Sequence, residues 1–409
     1  MSDRPALARC TSLPPEEFAE RVWSREPSLS PAVELPRDFS DLLSLADVDA
    51  LLSEQGLRTP FLRLAKDGQV VPERRWTSGG GVGATVGDQV RDERVAELFA
   101  DGATVVLQAL HRTHAPLARF AAALSGDLGH PVQVNAYVTP AQNQGFSSHY
   151  DLHDVFVLQV AGEKRWRLHP PVVTDPLRDD PWTDHRDAVE RAAAAEPYLE
   201  TVLRPGDALY VPRGWLHAAT ALGEVSAHLT VGVHVRTRAW LVEALTALVL
   251  DDPRLRQTLP LGVDVTAADD LAPHLAATVA ALTERLPVVR ADDVARRLTG
   301  AVLTGNRPAP LAPLAQAAAV ASVGAGTVVR ARVGLRTVLR DAGEGLRLVL
   351  PDRSIDWPDR VRASLQVLLG GDDVVVGELP DLAGDDAVQL VRRLLREGVV
   401  VPVPPAGPR

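Results

Sequence analysis

The stretch HYDLHDVF, residues 149–156, sets two histidines and two aspartates into an apolar run of a chain with only 11 histidines. In an extended strand, residues i and i+2 share a face. His149 and Asp151 would then present an imidazole and a carboxylate side by side. A third ligand must come from a neighbouring strand, and LRPGDALYVPRGWLHAA, residues 203–219, supplies His217. In that stretch Pro205-Gly206-Asp207 reads as a turn, DALYV as a strand and Pro212-Arg213-Gly214 as a second turn, and His217 opens the next strand. Two imidazoles and one carboxylate on one face of an ion leave three adjacent coordination positions open. That is the facial triad of non-haem Fe(II) oxygenases, in which a co-substrate and O2 take the open positions. A His-x-Asp pair alone occurs often by chance; the downstream PGDALYVPRGWLH at barrel-like spacing gives it meaning. His153 shares the face of His149 and Asp151 but lies further along. Asp154 faces the other way and is read as satisfying a backbone group or an arginine.

These residues need a scaffold, and the hydrophobic period indicates one. From 131 to 236 the period is two. PVQVNAYVT, DVFVLQV, KRWRLH, DALYVP and VSAHLTVGVHV all read as strands between turns with Gly or Pro. Ala161-Gly162-Glu163 reads as a short hairpin loop joining DVFVLQV to KRWRLH. Many short strands at close spacing predict a sandwich or barrel of the cupin kind. In VSAHLTVGV, Val225, Ala227, Leu229, Val231 and Val233 alternate with Ser226, His228, Thr230 and Gly232. Both faces are expected to be enclosed. A polar row inside a barrel suggests hydrogen bonds to a bound acid or to the shell of a metal. His228 and Thr230 are therefore candidates, as are Asn135 and Tyr137 on the entering strand.

Upstream, residues 14–54 read as a helical segment starting at Pro14-Pro15-Glu16-Glu17, and helices are expected over 91–101 and 115–128. GGGVG, residues 79–83, reads as a loop without the strand–turn–helix context or the lysine of a phosphate cradle. From 237 to about 300 the helical period returns. Trp240, Leu241, Ala244, Leu245 and Leu248 form one stripe; Leu275, Val279, Leu282 and Leu286 form another. TGNRPAPLAP, residues 304–313, reads as a linker. A small α+β unit follows, with strands near 327–339 and 345–350, helices at 359–369 and 385–397, a stop at Gly398 and the strand VVVPV.

Composition narrows the classes. The chain has 409 residues, is 46% hydrophobic and 23% charged, and carries a net charge of −10. Two or three domains are expected. The acidic balance argues against general nucleic-acid binding and is compatible with a basic protein partner. Cys10 is the only cysteine, so neither an intramolecular disulfide nor a cysteine zinc site is available. The N-terminal residues show no apolar signal region and no 18-residue apolar stretch occurs, so a soluble, cytoplasmic, non-membrane protein is expected. Helix 385–397 sets Asp385, Asp386 and Glu397 against Arg392, Arg393 and Arg396. Its formal sum is zero, and it lacks the footprint of a DNA-binding helix.

HYDLHDVFVLQVAGEKRWRLH, then PGDALYVPRGWLHAA and SAHLTVGV, resembles the JmjC-type ribosomal oxygenases, the cupin-fold, Fe(II)- and 2-oxoglutarate-dependent protein hydroxylases. The likeness extends upstream through GATVVLQALHR and NAYVTPAQNQGFSSHYD. It implies an α+β chain with a double-stranded β-helix core. A JmjC/cupin catalytic domain with N-terminal helices would span 1–236, a helical dimerisation region 237–305 and a winged-helix-like domain 306–409. It implies iron at His149, Asp151 and His217, and 2-oxoglutarate with its distal carboxylate on Lys164. A dicarboxylate inside a barrel needs a buried cation; Arg165, on the opposite face, is the second candidate. Gly232 stands where some relatives carry a hydroxyl residue. Trp166 and Trp215 are expected as packing anchors. The implied reaction consumes O2 and 2-oxoglutarate, yields succinate and CO2, and hydroxylates a side-chain carbon of histidine or arginine in a ribosomal protein. A homodimer is implied as well. Two other readings remain. A metal cupin could bind or isomerise a small acid or sugar without O2, but Asp151 in place of a third histidine, together with Lys164, argues against it. A non-catalytic binding module is argued against by the intact triad.

Overall fold

A computed structural model of the chain describes residues 4–66, 68–141, 143 and 147–404. Residues 142 and 144–146 of the quoted NAYVTPAQNQGFSSHYD stretch and the first three of the N-terminal residues lie outside them. The chain divides into two compact units. The first runs to Val235 and takes up Arg307–Leu335 and the chain from Ala363. The second holds Arg236–Asn306 and Arg336–Arg362. This division cuts across the expected boundary at 305/306, because the segment after the linker contributes to both units. No helix among the described residues is long and apolar enough to cross a membrane.

The first unit is built on nine antiparallel strands: β1 (Ser28–Ser30), β2 (Leu62–Lys66), β3 (Gln69–Val70), β4 (Thr104–Leu107), β5 (Val132–Thr139), β6 (Asp154–His169), β7 (Leu199–Leu203), β8 (Ala208–Val211) and β9 (Leu216–Val233). The order is β1-β8-β6-β9-β5-β4-β2-β3, with β7 on β6. Two strands do the closing. The first half of β6 pairs with β8 and with the second half of β9. The second half of β6 pairs with β7 and with the first half of β9. Both strands therefore pass through two facing sheets.

The expected hairpin at 161–163 is absent. Residues 154–169 form one strand, and the register against β9 slips between Leu222/Ala227 and Ala227/His228. A hairpin would fold the two halves of β6 onto each other; instead β9 runs along both. Gly162 marks the bend. Its φ is +59°, and a Cβ there would come within 2.2 Å of the Val225 carbonyl oxygen. Gln159 fills the bend, donating through Nε2 to Ser226 Oγ and to the carbonyls of Ala161 and Gly162. An irregularity of this kind flips the side-chain alternation. Val155 and Val157 face inward before the bend, and Lys164 and Trp166 after it.

The outer face of the larger sheet carries the main core. Phe156, Leu158, Leu229, Val231, Val134 and Ala136 pack there with residues of helices Leu45–Ser53, Asp92–Ala100 and Ala115–Leu128. Both latter helices fall where the period placed them. The N-terminal segment follows its expected helix over residues 15–22 and not beyond. Pro27, Pro31 and Pro36 break it into short turns and the edge strand β1. Its one sizeable helix begins at Ser44, whose side chain and that of Asp47 form a capping box.

The C-terminal part of this unit holds helices Pro313–Ser322 and Asp385–Arg396 and a sheet of Val374–Val375, Val328–Ala331 and Val400–Pro402. Gln316 joins them, donating to the carbonyls of Leu395 and Val400 at 2.8 and 2.7 Å. The second unit holds helices Arg238–Val249, Ala268–Arg285 and Ala291–Thr304 and the sheet of Val338–Ala342, Gly345–Val349 and Ser354–Pro358.

Gly162→Ala tests the bend. The new methyl meets backbone in a left-handed conformation, so a loss of about 2 kcal/mol or more is expected in urea unfolding. Gly223→Ala, also at positive φ but with open space around it, should lose less.

Candidate metal centre

His149 and Asp151 precede β6 and are not in a regular strand, contrary to the expectation. They are placed by backbone bonds to the segment opposite. His149 and His217 form an isolated antiparallel bridge, with N–H to O distances of 3.2 and 2.8 Å. The Gly214 N–H donates to the Asp151 carbonyl at 3.0 Å. Gly214 has φ +82°, and a Cβ there would press on the Val173 carbonyl at 2.8 Å. The PRG turn thus delivers both the tie to Asp151 and the start of β9.

One donor atom from each of His149, Asp151 and His217 lies within 4.8 Å of the others. Among the described residues no other histidine, cysteine or carboxylate joins such a group. Asp151 Oδ2 and His217 Nε2 are 3.8 Å apart, too far for a good hydrogen bond. The two rings are tilted by 56° at 4.5 Å between centroids. His149 Nδ1 is 2.8 Å from the Ser147 carbonyl, and His217 Nδ1 is 3.1 Å from the Trp215 carbonyl. A carbonyl only accepts, so each Nδ1 carries a proton, which leaves Nε2 as the nitrogen that can face an ion. This is the tautomer a divalent cation requires. Burial holds His217 down to about 4, with the neighbouring His149 adding to it, so its imidazole is neutral at pH 7. Burial would raise the Asp151 carboxyl, but His153, His217 and His149 together bring it below its usual value. The donor set and its protonation fit a divalent ion.

Behind the triad lies a small cavity of about 80 Å³. His149, Asp151 and His217 line one end. Lys164, Thr139, His228 and Tyr137 line the rest, together with Thr230 and Trp166. Lys164 is buried, and its Nζ lies 3.1 Å from Thr139 Oγ1 and 3.4 Å from His228 Nδ1. No carboxylate pairs with it among the described residues. Burial brings its ammonium down to about 7. Burial, then the Lys164 charge, holds His228 well below the ordinary histidine value. His228 stacks on Tyr137 at 5.2 Å and meets the Trp166 ring edge-on at 5.4 Å. Burial and the Asp151 charge push the Tyr137 phenol up to about 12.

The other candidates separate clearly. Asn135 shares the strand face but is not in the cavity wall; its Oδ1 accepts from the Ala109 N–H at 2.9 Å. Arg165 points outward, half-exposed, toward Glu200. His153 stacks on His234 at 5.2 Å and packs against Gly232; it is near enough to Asp151 to lower its carboxyl but does not join the ligand group. Asp154 is fully buried and accepts from Ser24 Oγ at 2.9 Å, from the Arg213 N–H at 3.0 Å and from the Tyr210 hydroxyl. It holds the turn that precedes His217. Trp215 is a packing residue as expected, edge-on to Tyr198, with its N–H on the Arg25 carbonyl. Trp166 is more than an anchor: it lines the cavity, and its buried Nε1 has no hydrogen-bond partner. Thr139 and Thr104 were missed. Thr139 follows Asn135 and Tyr137 at the same period of two, so alternation alone could have found it. Thr104 donates to it at 3.3 Å from β4.

Known proteins match this arrangement. Residues 109–241 match the JmjC domain family. Over 256 residues the chain is 31% identical to ribosomal oxygenase 1 of Gallus gallus, covering 60% of this chain and 40% of that protein. Over 139 residues it is 37% identical to the bifunctional lysine-specific demethylase and histidyl-hydroxylase NO66 of Drosophila persimilis, covering 32% and 19%. The chain thus spans about two-fifths or less of the length of these relatives. The fold is that of the Escherichia coli protein YcfD, at a TM-score of 0.57 and 19% identity over 96% of this chain and 98% of that one. The structure of YcfD, a ribosomal oxygenase, with cobalt and 2-oxoglutarate aligns at a TM-score of 0.54 and 18% identity, over 97% and 99%. The site and fold define a cupin-type JmjC domain, and the chain is similar to the JmjC-type ribosomal oxygenases.

Asp154→Asn probes the support of the triad. The amide N–H must face one of three donors, so a loss of about 2 kcal/mol is expected in urea unfolding. Weaker metal binding should accompany it in a titration with Co(II).

Proposed function

We propose that the protein is an Fe(II)- and 2-oxoglutarate-dependent oxygenase that hydroxylates a side-chain carbon, of histidine or arginine, in a protein substrate, a ribosomal protein. The observation that carries this reading is the pairing of an intact His149–Asp151–His217 triad with the buried, acid-free cation Lys164 in one cavity. A divalent ion fits the three donors, and a carboxylate fits Lys164, Thr139 and the indole N–H of Trp166. Bound together, iron, O2 and 2-oxoglutarate supply the oxidising power for C–H hydroxylation, with succinate and CO2 as by-products. The chain's own part is to fix the tautomers, neutralise one carboxylate and keep water out. No general base is asked of it.

The ribosomal oxygenases among its relatives support a ribosomal-protein substrate, and the net charge of −10 suits a basic partner. The reading also includes a cytoplasmic location, a homodimer and no direct DNA binding. Exposed Leu241, Leu275, Val279 and Leu286 on the helices of the second unit support self-association.

Succinate formation by protein loaded anaerobically with Fe(II), then given 2-oxoglutarate and O2, is the direct test. His217→Ala should abolish both metal binding and succinate. Metal binding without 2-oxoglutarate binding or succinate would instead favour a cupin metalloprotein that handles a small acid or sugar.

Lys164→Ala should weaken 2-oxoglutarate binding by about 10²–10³-fold in calorimetry, the cost of leaving a buried carboxylate unpaired. The pH dependence has a definite sign. Empty, Lys164 titrates at about 7. A carboxylate against it favours the charged form and raises that value. Binding above pH 7 therefore takes up a proton, and affinity falls about tenfold per pH unit there until the bound-state value is reached. Calorimetry in buffers of different ionisation enthalpy reads the uptake directly.

A further inference from the structure

The wall of the metal cavity has a second face, and that face carries a groove. Thr104, Tyr137 and Thr139 of β4 and β5 point into the cavity, whereas Val105 and Val138 between them form the floor of the groove on the other side. Helices Leu45–Ser53 and Asp92–Ala100 flank it, and it holds about 520 Å³. Its floor and walls are apolar, and the core of the unit does not fully cover them. Leu45 and Ala96 are exposed, and Leu52, Phe99 and Val225 are half-buried. Beyond Ser53 and Asp92 the groove continues into a shallower depression beside Gly79, Gly80 and Gly81, the glycine-rich loop that is no phosphate cradle.

The rim has one sign of charge. Asp49, Asp92 and Glu93 stand on it, and among the described residues no lysine or arginine lines it. Arg91 and Arg94 are engaged by Glu93 and Glu97, and among the described residues no cation pairs with Asp49 or Asp92. Asp92 and Glu93 also suit the N-terminal turn of their own helix. Asp49, exposed in the middle of its helix, has no such reason. A negative rim repels nucleic acid and anionic membrane surfaces and attracts lysine and arginine.

The floor restricts the shape of the occupant. β4 lies between β2 and β5, and β5 between β4 and β9, so neither offers a free edge. An extended segment laid here would leave its own N–H and C=O groups unpaired over an apolar surface. A helix satisfies them internally and presents an apolar stripe, the helix-in-groove mode of recognition.

We propose that this groove docks a cationic amphipathic helix of a partner protein. Its apolar stripe lies against Leu52, Phe99 and Val225, and its lysines or arginines face Asp49 and Asp92. The proposal does not depend on the oxygenase reading, because the groove is on the opposite side of the strands from the triad.

The probes are labelled peptides about 18 residues long, roughly five helical turns. Three share one leucine stripe and carry Lys, Gln or Glu on the flanking positions; a fourth has the Lys composition in scrambled order. Each is titrated against the full chain by fluorescence anisotropy. The striped Lys peptide should bind about fivefold or more tighter than the Gln peptide, the scale of two exposed ion pairs, with the Glu peptide weakest. Added salt should narrow that order. Ala96→Arg, which fills the groove from an exposed helical position, should weaken the Lys peptide at least about tenfold. Asp49→Lys with Asp92→Lys should reverse the Lys-to-Glu order. Circular dichroism melting identifies any variant that fails to fold, and the other variant then decides. Equal affinity for the Lys and Glu peptides overturns the proposal. So does equal binding of the scrambled peptide, which reports attraction to the net charge alone, or a Lys preference unchanged in the folded variants. A dimer in light scattering that Ala96→Arg breaks would give the groove to a second copy and overturn it as well.

Discussion

The site depends on the contact between Gly162 and the Val225 carbonyl, where β6 and β9 bend together. Each strand serves the cavity on both sides of that bend. β6 begins just after the ligand loop, lends Val155 and Val157, and after the flip turns Lys164 and Trp166 inward. β9 opens with His217 and, beyond its slipped register, returns with His228 and Thr230. Without the flip, Arg165 would face inward and Lys164 would lie outside. The identity of the buried cation is thus decided by a backbone irregularity and not by the local strand pattern.

The two ends of the cavity carry opposite electrostatic needs. At one end a depressed carboxyl and two imidazoles, each held through Nδ1 by a carbonyl, form a donor set for a cation. At the other, a buried ammonium has a threonine and a histidine for company and, among the described residues, no acid. Lys164 and Asp151 do not pair, although each lines the same cavity. Burial has already driven Lys164 to about 7 and His228 further below its ordinary value. The empty protein bears this cost, and any ligand bringing a carboxylate to one end and a metal to the other relieves it. A site built this way is less stable empty than filled. That is what preorganisation for a charged co-substrate looks like in energetic terms.

Much of this was legible in the chain. The period of two over 131–236 located the barrel strands, and His149, Asp151 and His217 were identified from residue type and spacing. The reason given for the first two was partly wrong: they share a side because the His149–His217 bridge and the Gly214–Asp151 bond hold a loop, not because a strand alternates. The hairpin at 161–163 failed because a glycine between two strand-like runs signals a bend as well as a turn, and only the partner strand decides. Asn135 is not among the residues lining the cavity, because alternation gives a face but not a depth; its Oδ1 accepts from the Ala109 N–H. The N-terminal helix starts where expected but stops after Val22, where three prolines outweigh apolar spacing. The split of the segment after 306 between two units left no compositional mark at all.

A second, outer cavity meets the triad from the other side, with Arg63, Tyr137, Trp182 and Arg186 in its wall beside His149 and Asp151, and this wall restricts where the entrance can vary. Tyr150 lies between His149 and Asp151, is buried, and holds the segment that carries Trp182 through Asp180. A change at Tyr150 or in that segment therefore disturbs the ligand loop along with the wall. Tyr137 is likewise committed, stacked on His228 inside while facing the outer cavity. Arg186 is different. It is exposed on a short surface helix, touches the wall only through the indole face, and has no part in holding His149, Asp151 or His217. It is the position at which the charge of the entrance can change while the metal site beneath keeps its geometry.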